Sequence, residues 1–148
     1  MALFQKKPQV SNSAPLYTVG LNKSLLIVGL GNIGKEYELT RHNSGFLCAD
    51  HLVKTLDLPE YIQKKNHNCY ESSGKGGGKR IIVIKPTTYM NSSGQAVKDT
   101  MNFYKITIDD VIVLHDELDL DFGEIRTKNG GGSAGHNGLK SIIRHIGN

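Results

Sequence analysis

Three uninterrupted apolar runs, Leu25-Leu26-Ile27-Val28, Ile81-Ile82-Val83-Ile84 and Val111-Ile112-Val113-Leu114, restrict this chain more than any other feature of its sequence. A strand with one wet face alternates apolar and polar side chains, so four consecutive aliphatic residues call for strands buried on both sides of a sheet. The intervening segments supply the covers. Phe46, Leu47, Ala49, Leu52, Val53 and Leu56 recur at helical spacing, with Ser44 as a candidate N-cap. A second helix, preceded by Ser93-Gly94, carries Ala96, Val97, Met101 and Phe103 or Tyr104. A third starts near His136 and turns Leu139, Ile142, Ile143 and Ile146 inward. Strands alternating with helices predict an α/β fold, a three-layer α/β/α sandwich with a mixed central sheet.

Smaller elements fill the gaps. A strand over Asn68 to Ser72, a glycine-rich turn from Ser73 to Lys79 and the second apolar run together read as a hairpin. Ile125 to Lys128 is short and strand-like, and Gly130 to Gly135 forms a glycine-rich loop. Residues 1–24 lack apolar periodicity and read as a flexible N-terminal leader before one domain over residues 25–148. A length of 148 residues with 38% apolar and 22% charged side chains suits a single soluble domain. No apolar run reaches membrane-spanning length and no signal-peptide core is present, which points to the cytoplasm. Cys48 and Cys69 form no CxxC pair, so neither a zinc site nor a disulfide is indicated; buried, reduced thiols are expected.

Charge is segregated. Asp109 to Glu124 holds seven acids and no Lys or Arg, whereas Ile125 to Asn148 holds Arg126, Lys128, Lys140 and Arg144 and no acid. Solvated faces produce such blocks as readily as nucleic-acid contacts do, so charge alone leaves the partner open.

The chemistry concentrates after the buried strands, where open α/β sheets place their sites. Asn32 and then Thr40-Arg41-His42-Asn43 follow the first run, Thr87-Thr88-Tyr89-Met90-Asn91 the second, His115-Asp116-Glu117 the third, and Gly135-His136-Asn137-Gly138 comes beyond them. Ser92 and Ser93 fit no nucleophile elbow, and Cys48 falls within an apolar helix face, which leaves water as the economical nucleophile. A His–Asp pair can deprotonate water, and asparagine amides can hydrogen-bond an ester carbonyl or its developing oxyanion. Strand alternation sends His115 to the face opposite Asp116, so a structural role is expected there. Gly29-Leu30-Gly31-Asn32-Ile33-Gly34 is a literal GxGxxG after a strand and raises a nucleotide-dependent oxidoreductase as an alternative. The context opposes it, because Lys35 to Asn43 shows no apolar stripe for the required helix and no acid ends a second strand.

Two longer segments are specific. Tyr37-Glu38-Leu39-Thr40-Arg41-His42-Asn43-Ser44-Gly45, closing on Asp50, and Gly132-Ser133-Ala134-Gly135-His136-Asn137-Gly138-Leu139-Lys140 resemble the two signatures of bacterial-type peptidyl-tRNA hydrolases. Val28 to Asn32, Pro86 to Gly94 and His115 to Asp119 are similar to the family in the same order. The resemblance implies hydrolysis of the ester between peptide and tRNA, without metal or cofactor. It implies His42 as the proton acceptor that activates water, Asp116 as the carboxylate that keeps it basic, and Asn32 as the residue that separates peptidyl from free aminoacyl esters. It further implies that Tyr37, Tyr89, Asn91 and Asn137 contact the tRNA end or the adjoining peptide, that Arg126 and Lys128 hold acceptor-stem phosphate, and that His136 shapes its loop. A monomer acting on peptidyl-tRNA away from membranes is expected.

Against the family pattern, the leader is long, and a further core strand and C-terminal lid helices are expected to be missing after Asn148. That makes a catalytically inactive tRNA-binding fragment the main alternative.

Overall fold

The computed structural model describes residues 23–148. The first two apolar runs lie side by side in it as parallel strands. β1 (Ser24–Gly29) pairs with β4 (Lys79–Pro86) in the register Leu26↔Ile82 and Val28↔Ile84, and on its other side with β5 (Val111–Leu114), Val28 lying opposite Val113. β2 (Ile62–Lys64) and β3 (Cys69–Gly76) extend the sheet antiparallel beyond β4, giving the order β2-β3-β4-β1-β5. The sheet is therefore mixed, as expected.

Alternation along the parallel strands divides the core in two. Leu26, Val28, Ile82 and Ile84 face one side with Ala96, Val97 and Ile142, the contributions of α2 (Ser93–Tyr104) and α3 (Asn137–Ile146). Ile27, Ile81 and Val83 face the other with Ala49 and Val53 of α1 (Ser44–Thr55). One helix on one face and two on the other complete the three layers.

Two glycines bring helices and strands close enough to fix the upper edge of the sheet. A Cβ on Gly45 would collide with the Leu30 amide and with the Leu30 and Leu114 carbonyls, so α1 starts directly against the ends of β1 and β5. Gly94 lies as close to the Ser141 carbonyl, and its amide donates to Ser141 Oγ at 2.9 Å, which locks α3 onto α2.

Several expectations fail for local reasons. β5 is not buried on both faces: among the described residues it pairs only with β1, and Ile112 is 46% exposed. Ile125 to Lys128 forms no strand, having no neighbour with which to share a ladder, and is exposed throughout. β3 continues past Ser73 to Gly76, where only Gly77 and Gly78 turn, both at positive φ, as a two-residue hairpin loop requires. Ser93 and Gly94 lie inside α2 rather than before it, and Tyr104 rather than Phe103 packs on the core. Ser44 is the first helical residue of α1, its hydroxyl donating to the Arg41 carbonyl, so it is not the N-cap. Cys48 is exposed and Cys69 buried. Of the expected leader only Lys23 and Ser24 are described, and Ser24 already pairs with Arg80; the rest lies outside the described residues. Among the described residues no helix is long and apolar enough to cross a membrane.

Gly45→Ala is expected to cost about 1–3 kcal/mol in chemical denaturation, because its contacts are backbone atoms that cannot step aside. The thiols should differ sharply. Burial pushes the Cys69 thiol up to about 12, so in native protein at pH 8 a thiol reagent should titrate Cys48 alone, and both cysteines only after unfolding.

Candidate active site

Because β4, β1 and β5 are parallel, their carboxyl ends open onto one edge, and the polar segments that follow them meet there. α1 is preceded by a 3₁₀ turn, Arg41–Asn43, that holds His42 over the end of β1. His136 stands at the N-cap of α3. Asp116 follows β5 by two residues and lies between the two histidines.

Asp116 is the buried carboxylate of this edge, its side chain 5% exposed. Oδ2 lies 2.9 Å from His42 Nδ1 and Oδ1 lies 3.1 Å from His136 Nε2. A buried carboxylate is tolerated when hydrogen-bonded, and here each oxygen faces one imidazole. A proton on His42 Nδ1 is the one that can donate to Oδ2, which leaves Nε2 as the lone pair. The His42 side chain is 61% exposed, so that lone pair is open to solvent and to an incoming ligand.

Asn43 braces the loop after β1. Its side chain is buried, Oδ1 accepts from the Asn32 amide at 2.7 Å and Nδ2 donates to the Asn32 carbonyl at 2.9 Å. Both backbone groups of Asn32 are thereby occupied, and its side chain stands where two cavities meet. The first, about 450 Å³, is lined by Asn32, His42, Met90, Asp116, His136 and Asn137, with Leu118 and Ala134 adding apolar surface. The second, about 560 Å³, lies between the two exposed tyrosines Tyr37 and Tyr89, with Ile33, Thr87 and Thr88 between them. The Thr88 hydroxyl is buried in this wall without a hydrogen-bond partner.

The expected residues are thus partly assembled. Asn32, His42, Asp116 and Asn137 share the first cavity, and Tyr37 and Tyr89 line the second. Asn91 lines neither; it is exposed on the 3₁₀ turn Met90–Ser92, beside Met90, which does. Arg126 and Lys128 lie outside both, on the exposed loop joining Asp116 to His136; Arg126 pairs with Glu124 at 2.8 Å and Lys128 folds over Gly131. His115 does not sit opposite Asp116, since the strand and its alternation end at Leu114. Its ring packs on His136, with centroids 5.0 Å apart. Sequence reasoning missed the Asn43 brace, the Met90, Leu118 and Ala134 wall, and the bond from His136 to Asp116. The one available signal for the last was that His136 precedes a helix. The GxGxxG stretch forms no nucleotide cradle, because a 3₁₀ turn, Lys35–Tyr37, follows it and no α-helix starts before Ser44.

The edge therefore offers a solvent-facing imidazole fixed by a buried carboxylate, amide groups beside it, and an aromatic-walled recess next door. That equipment suits attack by water on a carbonyl compound that carries a group able to stack on an aromatic side chain.

Comparison with known proteins gives a consistent result. A family model described as peptidyl-tRNA hydrolase matches residues 26–148. The chain is 52% identical over 122 residues to a peptidyl-tRNA hydrolase of Ehrlichia ruminantium (strain Welgevonden), covering 82% of this chain and 62% of that protein. It is 50% identical over 123 residues to one from Parvibaculum lavamentivorans, covering 83% and 59%. A crystal structure of peptidyl-tRNA hydrolase from Acinetobacter baumannii aligns with a TM-score of 0.80 at 41% identity, over 86% of this chain and 64% of that one. The chain thus spans less than two thirds of the length of these relatives.

Asn43→Ala should leave the Asn32 amide and carbonyl unpaired and lower stability by about 1–3 kcal/mol in urea denaturation. The backbone amide of Asn32 should lose hydrogen-exchange protection in the same variant.

Proposed function

The chain belongs to the peptidyl-tRNA hydrolase family, and from that membership we propose that it hydrolyses the ester bond between a peptide and the 3′ end of tRNA, releasing both. The observation that carries the reading is the 2.9 Å contact between His42 Nδ1 and the buried Asp116 carboxylate, in the cavity that also holds Asn32 and Asn137.

In this reading His42 Nε2 takes a proton from a water molecule as that water attacks the ester carbonyl. Asp116 fixes the reactive tautomer and stabilises the imidazolium that forms. The proton then passes to the departing ribose oxygen. The amides of Asn32 and Asn137 line the same cavity and can donate to the carbonyl oxygen as it gains charge. We assign Asn32, held by Asn43 at the junction of the two cavities, to the distinction between an acylated and a free α-amino group. Tyr37 and Tyr89 offer two faces for stacking an unpaired base or a peptide ring, and Asn91, exposed on the turn that follows Tyr89, makes a polar contact with the same end of the substrate. Arg126 and Lys128, on their exposed loop, take acceptor-stem phosphate; this is sequence-independent recognition and suits a substrate carried by many tRNAs. The reaction as proposed uses no cofactor and is placed in the cytoplasm.

N-acetyl-aminoacyl-tRNA should be cleaved by the purified protein without added metal, and His42→Ala should slow cleavage by about 10²–10⁴-fold. Cleavage by that variant at the wild-type rate would sink the mechanism. Lys128→Ala should instead weaken binding similarly across tRNAs and flatten its dependence on salt.

A further inference from the structure

The mechanism uses one oxygen of Asp116, and the other is held by a residue to which it assigns no role. His136 Nδ1 accepts from the Gly138 amide at 3.1 Å and the Leu139 amide at 3.4 Å, capping the first turn of α3. A neutral imidazole has one donor and one acceptor nitrogen. With Nδ1 committed as the acceptor, the ring proton must sit on Nε2, and Nε2 faces Asp116 Oδ1 at 3.1 Å. The helix terminus therefore selects the tautomer that donates to the carboxylate.

The ring is also held sideways. His115 stacks on it edge to face at 5.0 Å, and His115 Nδ1 donates at 2.6 Å to the Asp116 carbonyl, the backbone of the very residue that His136 grips by its side chain. His136 is 12% exposed and His42 61%, so the buried imidazole is the fixed arm of the carboxylate and the exposed one the working arm.

We propose that His136 is a positioning residue for the His42–Asp116 pair: by holding Oδ1 it prevents rotation of the carboxylate and keeps Oδ2 aimed at His42 Nδ1, with His115 bracing the ring. The kinetic part of this inference rests on the function proposed above. The tautomeric part does not, since it concerns only where protons reside in the resting protein.

His136→Asn separates the two duties of the side chain. Asparagine is among the strongest N-caps and can replace Nδ1 at the helix terminus, but it is too short to reach Asp116 while doing so. Long-range ¹H–¹⁵N correlation of the imidazoles reads tautomers directly and needs no substrate. Wild-type protein should show His136 protonated on Nε2 and His42 protonated on Nδ1. In His136→Asn the His42 signal should move towards the Nε2-protonated form while the backbone spectrum stays folded. In the hydrolysis assay the same variant should lose roughly 10–100-fold in kcat, a loss typical of removing an orienting partner, with KM within about twofold of wild type. His115→Phe, which keeps the stacked ring, should retain more kcat than His115→Ala.

A wild-type His136 protonated on Nδ1 would overturn the proposal whether or not the variant folds. So would an Asn variant whose His42 tautomer and kcat are both unchanged. If wild-type protein shows the two expected tautomers but cleaves no ester, the proposed function fails and the positioning role stands.

Discussion

The polar groups at the upper edge of the sheet are organised around one buried carboxylate, held from both sides. Asp116 is nearly shut off from water, and a carboxylate in that position is tolerable only because imidazoles from two distant segments face its two oxygens. The segments reach it by different means. His42 arrives on a tight turn whose position is set by the contact of Gly45 with the ends of β1 and β5, and His136 arrives at the terminus of a helix clamped to its neighbour through Gly94 and Ser141. Close packing at two glycines, one of them also hydrogen-bonded to a serine hydroxyl, thus brings the parts of the polar centre together.

The division between what could be read from the chain and what could not follows the range of the forces involved. The buried strands were legible because four aliphatic residues in a row admit few other uses, and the helices because 3.6-residue spacing is local. Ile125 to Lys128 misled because β-branched and basic residues in a short run resemble a strand, although a strand exists only where a partner supplies hydrogen bonds. The burial of β5 was overestimated for a related reason: run composition cannot tell a central strand from one at the edge of the described sheet. Placement after the buried strands brought His42 and Asp116 into one set of candidates, and their pairing was legible only through the family resemblance. The partnership of His136 with Asp116 was not, since it depends on which nitrogen a helix terminus occupies.

Asn91, Arg126 and Lys128 mark another boundary. Each lies outside the walls of the two cavities, and Arg126 is engaged with Glu124. Side chains that meet a large polyanion need not line a cavity, because phosphates are met on exposed surfaces. Proximity to a recess therefore identifies the parts that handle the reacting group better than those that hold the remainder of a long substrate.

The Asn43 side chain presents to Asn32 one acceptor and one donor, the same pair that a neighbouring strand would offer through its peptide groups. It acts as a sheet of one residue, carrying the hydrogen-bonded order of β1 into a loop that would otherwise be free. The freedom that Asn32 would lose on meeting a ligand has already been surrendered when the chain folds. A ligand meeting this loop therefore meets a backbone already set, and a group that does not fit gains nothing from bending the loop towards it.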